Sequence, residues 1–330
     1  NIYGGAINVN NNVTTSSGDI LMRASGTFTI ASSKAITNSS GNTVITTSKF
    51  VNNAGSTALS NTNSGASKYW QVWSTNADPY NGSTGDTVGS LAYDYKQYNA
   101  TYGSTVVQGG TGKGLLYNYA PSLTFSLTGT VSKTYDGNDT ATLTSSNYLA
   151  SGNLSGDTIT ASTSSGTYSA DVDVGTSKTV SVSGLTFTAT SSSSKPVYGY
   201  QATSTSVSGN VGTITTKTVT LSATKTYDGT TTLSGSQVTI GGLVGTQTLT
   251  YTGATANDAH VGTASKYINA ITLADGTNGG VASNYQLPTL DNSHAAVTIN
   301  AATVTPTITN TSVTKDRKST RLNSSHIPLS

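Results

Sequence analysis

The chain reads as all-β: the C-terminal end of a right-handed β-solenoid followed by two tandem small β-sandwich-like repeats, elongated. Three observations predict this. Short runs of Val, Ile, Leu and Tyr alternate with Thr and Ser and are separated by Gly, Asn and Asp, the pattern of many strands and turns. Helix formers in amphipathic spacing are nearly absent. Lys133-Thr134-Tyr135-Asp136-Gly137 returns unchanged as Lys225-Thr226-Tyr227-Asp228-Gly229, 92 positions later. The landmarks downstream recur in order: Val174-Gly175-Thr176 is answered by Val261-Gly262-Thr263, and Gly199-Tyr200-Gln201 by Asn284-Tyr285-Gln286. Repetition on this scale builds modular arrays.

Residues 1–66 carry short apolar pulses (Ile7-Asn8-Val9, Ile20-Leu21-Met22, Phe28-Thr29-Ile30, Val44-Ile45, Phe50-Val51) set in Ser, Thr, Asn and Gly. Ser16-Ser17-Gly18-Asp19 reappears as Ser39-Ser40-Gly41-Asn42, 23 residues on, and Phe28 is echoed by Phe50. A period of this size suits one rung of a β-solenoid, whose coils stack strand on strand around an inward apolar stripe. A sandwich meander with similar turn spacing is the competing pattern. Residues 67–120 hold both tryptophans, Trp70 and Trp73, and the densest run of tyrosines. Large aromatics bury much apolar area apiece, so this segment is expected to cap the open end of the stack and form a junction.

Residues 121–216 and 217–302 are the two repeats. Strands are legible at Leu123–Leu127, Thr158–Thr160, Val180–Val182 and Leu185–Phe187 in the first. The second offers Val219–Leu221, Val238–Ile240, Leu249–Tyr251 and Ile271–Leu273. Apolar residues alternating with Thr or Ser turn one face inward and one to water, and about 90 residues of this kind suit a small two-sheet sandwich. Ser191–Ser194 is a loop insertion in the first copy. Thr213–Val219 runs between the repeats without a flexible linker, which predicts a semi-rigid array. Residues 303–315 start a third repeat, Lys315 lying 90 positions after Lys225. Residues 316–330 look like the conceptual translation of a sequencing-library adapter and are set aside from fold reasoning.

The 330 residues include 16 Lys+Arg and 14 Asp+Glu. Without Asp316, Arg317, Lys318 and Arg321 the balance is 13 of each, so the rest of the chain is neutral. Binding nucleic acid by counterion release needs a dense cationic surface, which this composition lacks. Ser and Thr number 110, so hydroxyls rather than charges carry solubility. Cysteine is absent, which excludes disulfides and thiolate metal sites. No apolar run approaches the ~18 residues that span a bilayer as a helix.

Few residues suggest chemistry. Tyr135-Asp136-Gly137 and Tyr227-Asp228-Gly229 read as structural turns, Asp capping its own backbone, Gly accepting φ > 0 and Tyr packing inward. Calcium at Asp136 or Asp228 would need six or more clustered oxygens, and few acids lie nearby. Asp171 and Asp173 share a strand face and read as solvated edge charges. His260 and His294 are isolated, so no Ser-His-Asp triad can be composed. Gly109–Gly114 lacks the Ser/Thr after Lys113 and the strand–loop–helix context of a phosphate loop. The sequence therefore assigns no catalytic residue, no metal and no cofactor.

At these residues the chain resembles a known group. Lys-Thr-Tyr-Asp-Gly, followed by Thr-rich strands, Val-Gly-Thr and Tyr-Gln, is similar to the tandem YDG-type repeat of bacterial adhesins. Leu91-Ala-Tyr93-Asp-Tyr95-Lys96-Gln-Tyr98-Asn-Ala-Thr-Tyr102-Gly103 resembles the junction between a haemagglutinin-like β-helix and such repeats, and Gly114-Leu-Leu-Tyr117 and Ala120-Pro121 its continuation. The resemblance covers most of residues 1–315. It implies a large filamentous haemagglutinin-like exoprotein of a Gram-negative bacterium, exported by two-partner (type V) secretion through an outer-membrane transporter, with its secretion domain upstream of Asn1. It implies a non-catalytic adhesin segment at the cell surface, with a cell-surface glycan or protein as partner. One other reading stays open, repeats that themselves bind glycan or host protein; a polysaccharide-cleaving solenoid is set aside, because residues 1–66 offer only Asp19, Arg23, Lys34 and Lys49, too few for such a cleft. The repeats differ at Leu243-Val-Gly-Thr-Gln against Leu154-Ser-Gly-Asp157-Thr, which argues against a functional role for that acid.

Overall fold

A computed structural model describes residues 1–62, 68–154, 156–169 and 171–307. Lys315, the remainder of the third-repeat start beyond residue 307, and residues 316–330 lie outside the described residues. Those described form strands and four short 3-10 turns, with no α-helix among them. The chain divides into two units: Asn1–Lys217 with Ser283–Tyr285, and Thr218–Ala282 with Gln286–Ser330.

The first unit opens with strands in sets of three, each pairing in parallel with the strand one set further on. One face is Ile2–Gly4, Ile20–Ala24, Thr43–Thr47 and Trp70–Ser74. The second is Ile7–Val9, Thr27–Ile30 and Lys49–Asn52, and the third Val13–Thr15, Ile36–Asn38 and Leu59–Asn61. The register places like on like: Ile7 opposite Phe28 and Phe28 opposite Phe50, Met22 opposite Ile45, and Ile36 opposite Leu59. The two Phe rings stack with centroids 6.2 Å apart.

Asparagines hold the corners. Asn38, fully buried, donates from Nδ2 to the carbonyls of Gly18 and Asn42, each at 3.1 Å. Its register partner Asn61 repeats the pattern one set on, donating to Gly41 O at 2.9 Å and Tyr69 O at 3.1 Å. Backbone carbonyls thereby gain a side-chain donor where the strands turn away from one another.

The aromatic segment, which the sequence assigns to a cap and junction, supplies Trp70–Ser74 and two further strands to the first face. Gly114–Tyr117 pairs in parallel with Trp70–Ser74 on one side and with Tyr95–Gln97 on the other. Tyr95–Gln97 then pairs in parallel with Pro196–Tyr198 of the first repeat. Phe187–Ser191 and Asp157–Ala161 follow antiparallel and complete a nine-stranded sheet. The strand edge that a cap would cover is thus paired to the next part of the chain. One buried cluster runs with it, from Phe28, Ile36 and Trp70 through Tyr98 and Leu115 to Leu123 and Tyr200.

Within the first repeat, Ser122–Leu127 pairs antiparallel with Tyr148–Ser151. Val131–Thr134 pairs in parallel with Val207–Thr215, which continues to Gly175–Val182 and Ser165–Tyr168. In the second unit a single strand, Thr220–Thr226, makes both kinds of pairing. Its first half lies antiparallel to Val238–Gly241 and its second half parallel to Val297–Asn300. Leu249–Ala256 and Ile268–Asp275 form a bulged hairpin beside it. The strand expected at Leu185–Phe187 begins only at Phe187, and Ser191–Ser194 becomes the tight turn leading to Pro196, with Ser194 at φ 57°.

Candidate functional site

The signature turn begins on a strand that ends the same way in both copies. Lys133 faces Ile214 and Lys225 faces Ile299, and the next amides close the pairing: Tyr135 N–H on Thr215 O and Tyr227 N–H on Asn300 O, both 2.8 Å. Asp136 Oδ1 accepts Asn138 N–H at 3.1 Å, and Asp228 Oδ1 accepts Thr230 N–H at 2.9 Å. Gly137 and Gly229 follow at φ 74° and 79°, a region that disfavours any residue with a Cβ.

The lysine three residues earlier is the member of the motif that turn chemistry does not announce. Lys133 Nζ donates to Asp136 Oδ1 at 2.6 Å, to Asn138 Oδ1 at 3.0 Å and to Asn138 O. Lys225 Nζ donates to Asp228 Oδ1 at 2.8 Å, Thr230 O at 3.1 Å and Thr232 O at 2.8 Å, and no part of its side chain is exposed. The oxygens gathered here face an ammonium built into the chain. The hydrogen bond from Lys225, with that from Thr230, holds the Asp228 carboxyl down at about 2. At Asp136 slight burial pushes upward, but Lys133 and Asn138 outweigh it and the carboxyl lies below its ordinary value. The tyrosines part company. Tyr135 is buried, its ring edge-on to Tyr285 at 5.5 Å, whereas Tyr227 is 40% exposed, which corrects the inward packing expected of both.

The other polar candidates resolve locally. Asp171 pairs with Lys178 at 2.9 Å, and Asp173 accepts Asn284 Nδ2 at 2.6 Å within the first unit. His260 and His294 each sit 2.8 Å from an aspartate of their own turn, Asp258 and Asp291. Among the described residues no three acidic or imidazole side chains converge. No helix among the described residues is long and apolar enough to cross a membrane.

The most concentrated chemistry lies where the aromatic segment meets the first repeat. Lys96 Nζ contacts Asp157 Oδ1, and their side chains are 6% and 0% exposed. Asp157 Oδ2 accepts two phenol protons, from Tyr98 at 2.8 Å and Tyr200 at 2.9 Å. Tyr80 and Tyr98 share a hydrogen bond of 2.8 Å, and the ammonium lies 5.5 Å from the Tyr80 ring centre. Burial alone would push Lys96 down, but Tyr80 and Asp157 more than offset it and the amine lies above its ordinary value. Burial, with Tyr80 and Asp157 beside it, pushes the Tyr98 phenol far up. Asp157 is the acid that the second copy lacks. The difference between the copies has a physical cause: the first repeat is the one whose sheet receives Lys96. A lysine amid tyrosines in one segment and a copy-specific acid in the next were the two available signals.

Each unit also carries a concave surface. The first unit has a cavity of about 610 Å³ lined by Gln108, Phe187, Tyr198, Tyr200 and Gln201. The second unit has one of about 1020 Å³ lined by Leu233, Val238, Ile240, Leu249, Tyr251 and their neighbours.

The shared strand, turn and lysine geometry coincides with a family match. Residues 119–194 and 210–293 match the YDG domain. Both repeats carry it. No curated protein and no solved structure matches the chain. In each matched segment the Lys-Thr-Tyr-Asp-Gly run forms a lysine-braced turn at the end of a paired strand.

Proposed function

We propose that this chain is a non-catalytic stalk segment of a large secreted bacterial surface adhesin, which projects a distal binding tip or contributes to cell adhesion. The observation that carries the reading is the tandem YDG pair, preceded by parallel strand sets whose sheet runs unbroken into the first domain. Repetition adds length, and the lysines and aspartates of both signature runs brace turns and strands. The junction residues Leu91–Gly103 and the haemagglutinin-like resemblance support export by two-partner secretion to the surface of a Gram-negative cell.

The test is location and reach. Antibody raised to residues 119–302 should label intact source cells, and duplicating that segment should move a C-terminal tag further from the cell surface. Labelling only after lysis, or an unchanged tag distance, would sink the proposal. A second reading, YDG domains as glycan- or protein-binding modules, is favoured by the cavity that presents Phe187 and Tyr198 beside the amides of Gln108 and Gln201. Flat aromatic faces with nearby amides suit sugar rings. A glycan array probed with the full chain separates the two: reproducible binding lost in Tyr198→Ala supports modules, and a blank array supports a spacer.

A further inference from the structure

We propose that Lys96 and Asp157 become joined after folding by an intramolecular amide bond between Lys96 Nζ and Asp157 Cγ. The amine and carboxylate are in contact and buried, and they come from strands 61 residues apart that belong to one sheet. Holding two reactants in attack geometry replaces an encounter with an effectively unimolecular step. Burial narrows the gap between the ion pair and the neutral amine and acid that the step requires, because charges lose more hydration than neutral groups do.

The two phenols on Oδ2 place hydrogen-bond donors on the oxygen that leaves. Tyr98 and Tyr200 polarise the carboxyl group, and Tyr98 is bonded onward to Tyr80, which gives a path for protons. The step balances without any outside reagent. Lys96 passes one proton to the Asp157 carboxylate, giving amine and acid. The Nζ lone pair then forms the Nζ–Cγ bond as the Cγ–Oδ2 bond breaks. A second proton moves from Nζ through a tyrosine hydroxyl to the departing oxygen, which leaves as water. The adjoining cavity of about 490 Å³, lined by Tyr80, Tyr93, Lys96 and Tyr117 among others, gives that water an exit. In a chain without cysteine such a bond is a covalent tie that redox conditions cannot undo.

Mass spectrometry of the purified full chain, with a β-sheet circular dichroism spectrum to certify folding, decides the matter. The expected intact mass is one water below that of the sequence. Trypsin should fail to cut after Lys96 and yield residues 69–113 joined to residues 134–178 as one branched product. Lys96→Arg should restore the full mass, and Tyr98→Phe with Tyr200→Phe should slow or abolish the loss. A folded chain at full mass with free cleavage after Lys96 overturns the proposal, as does a water lost equally from Lys96→Arg. The outcome is independent of whether the chain serves as a stalk.

Discussion

Lys225 illustrates how one residue can set the character of a motif. A fully buried ammonium is costly unless each of its protons is taken, and here Asp228, Thr230 O and Thr232 O take them. Lys225→Met keeps the apolar stem and removes the donors, leaving two carbonyls unpaired. The expected loss is about 1–3 kcal/mol by urea unfolding, larger than for Lys133→Met, whose side chain is 16% exposed. An equal loss at both positions would contradict the ranking. Asp228 adds a pH signature. Its folded carboxyl titrates at about 2 against an ordinary 3.8, so its contribution is present above about pH 4 and disappears as pH falls towards 2. Asp228→Asn should flatten the stability profile in that window and leave it unchanged at neutral pH in slope. A wild-type profile already flat from pH 4 to 2 would remove the lysine–aspartate pair from the account.

At the scale of the element, the parallel strand sets depend on how closely one corner can sit above the next. A Cβ on Gly41 would lie 1.8 Å from the Gly18 carbonyl oxygen, so the approach excludes any side chain. Gly41→Ala is expected to cost about 3 kcal/mol, while Gly5→Ala, where nothing lies within 4 Å, should stay within about 0.5 kcal/mol. Asn38→Ala should lose about 2–3 kcal/mol, since it strips partners from Gly18 O, Asn42 O and the Gly41 amide at 2.7 Å. Thermal unfolding of the three variants tests the order. Much of this was readable beforehand. The pulses at Ile7–Val9, Phe28–Ile30 and Phe50–Val51 fall on strands because alternation and turn residues are local properties. The recurrence of Lys-Thr-Tyr-Asp-Gly marked both turns for the same reason. What sequence did not reveal is non-local: Tyr95–Gln97 meeting Pro196–Tyr198, and Lys96 meeting Asp157, depend on which strands become neighbours. Nothing in the spacing of 61 residues encodes that, and comparison of the repeats pointed the wrong way because Asp157 answers to a partner outside the repeat.

At the scale of the molecule, the first unit does not come apart where its sequence changes character. The composition shift near residue 120 falls inside one sheet and one core, so residues 1–120 and the first YDG domain should unfold together. A fragment ending at residue 120 would expose the Tyr95–Gln97 edge, uncover Tyr98 and Leu115, and strand Lys96 without its carboxylate. Unpaired edges and unmatched buried charges are the two features that most favour aggregation and loss of structure. A fragment ending at residue 217 keeps the sheet, the core and the Lys96–Asp157 contact intact. The shorter fragment is therefore expected to be insoluble or to show early, broad melting, and the longer one to melt in a single cooperative step. Hydrogen exchange on the full chain gives the same test without cutting it. Amides of Thr43–Thr47, Gly114–Tyr117 and Phe187–Ser191 should share one opening free energy, because they are rungs of one sheet. If the Phe187–Ser191 amides exchanged through a separate, lower-energy opening, the continuous sheet would be a contact between independent parts, and the first unit would have a hinge at residue 120.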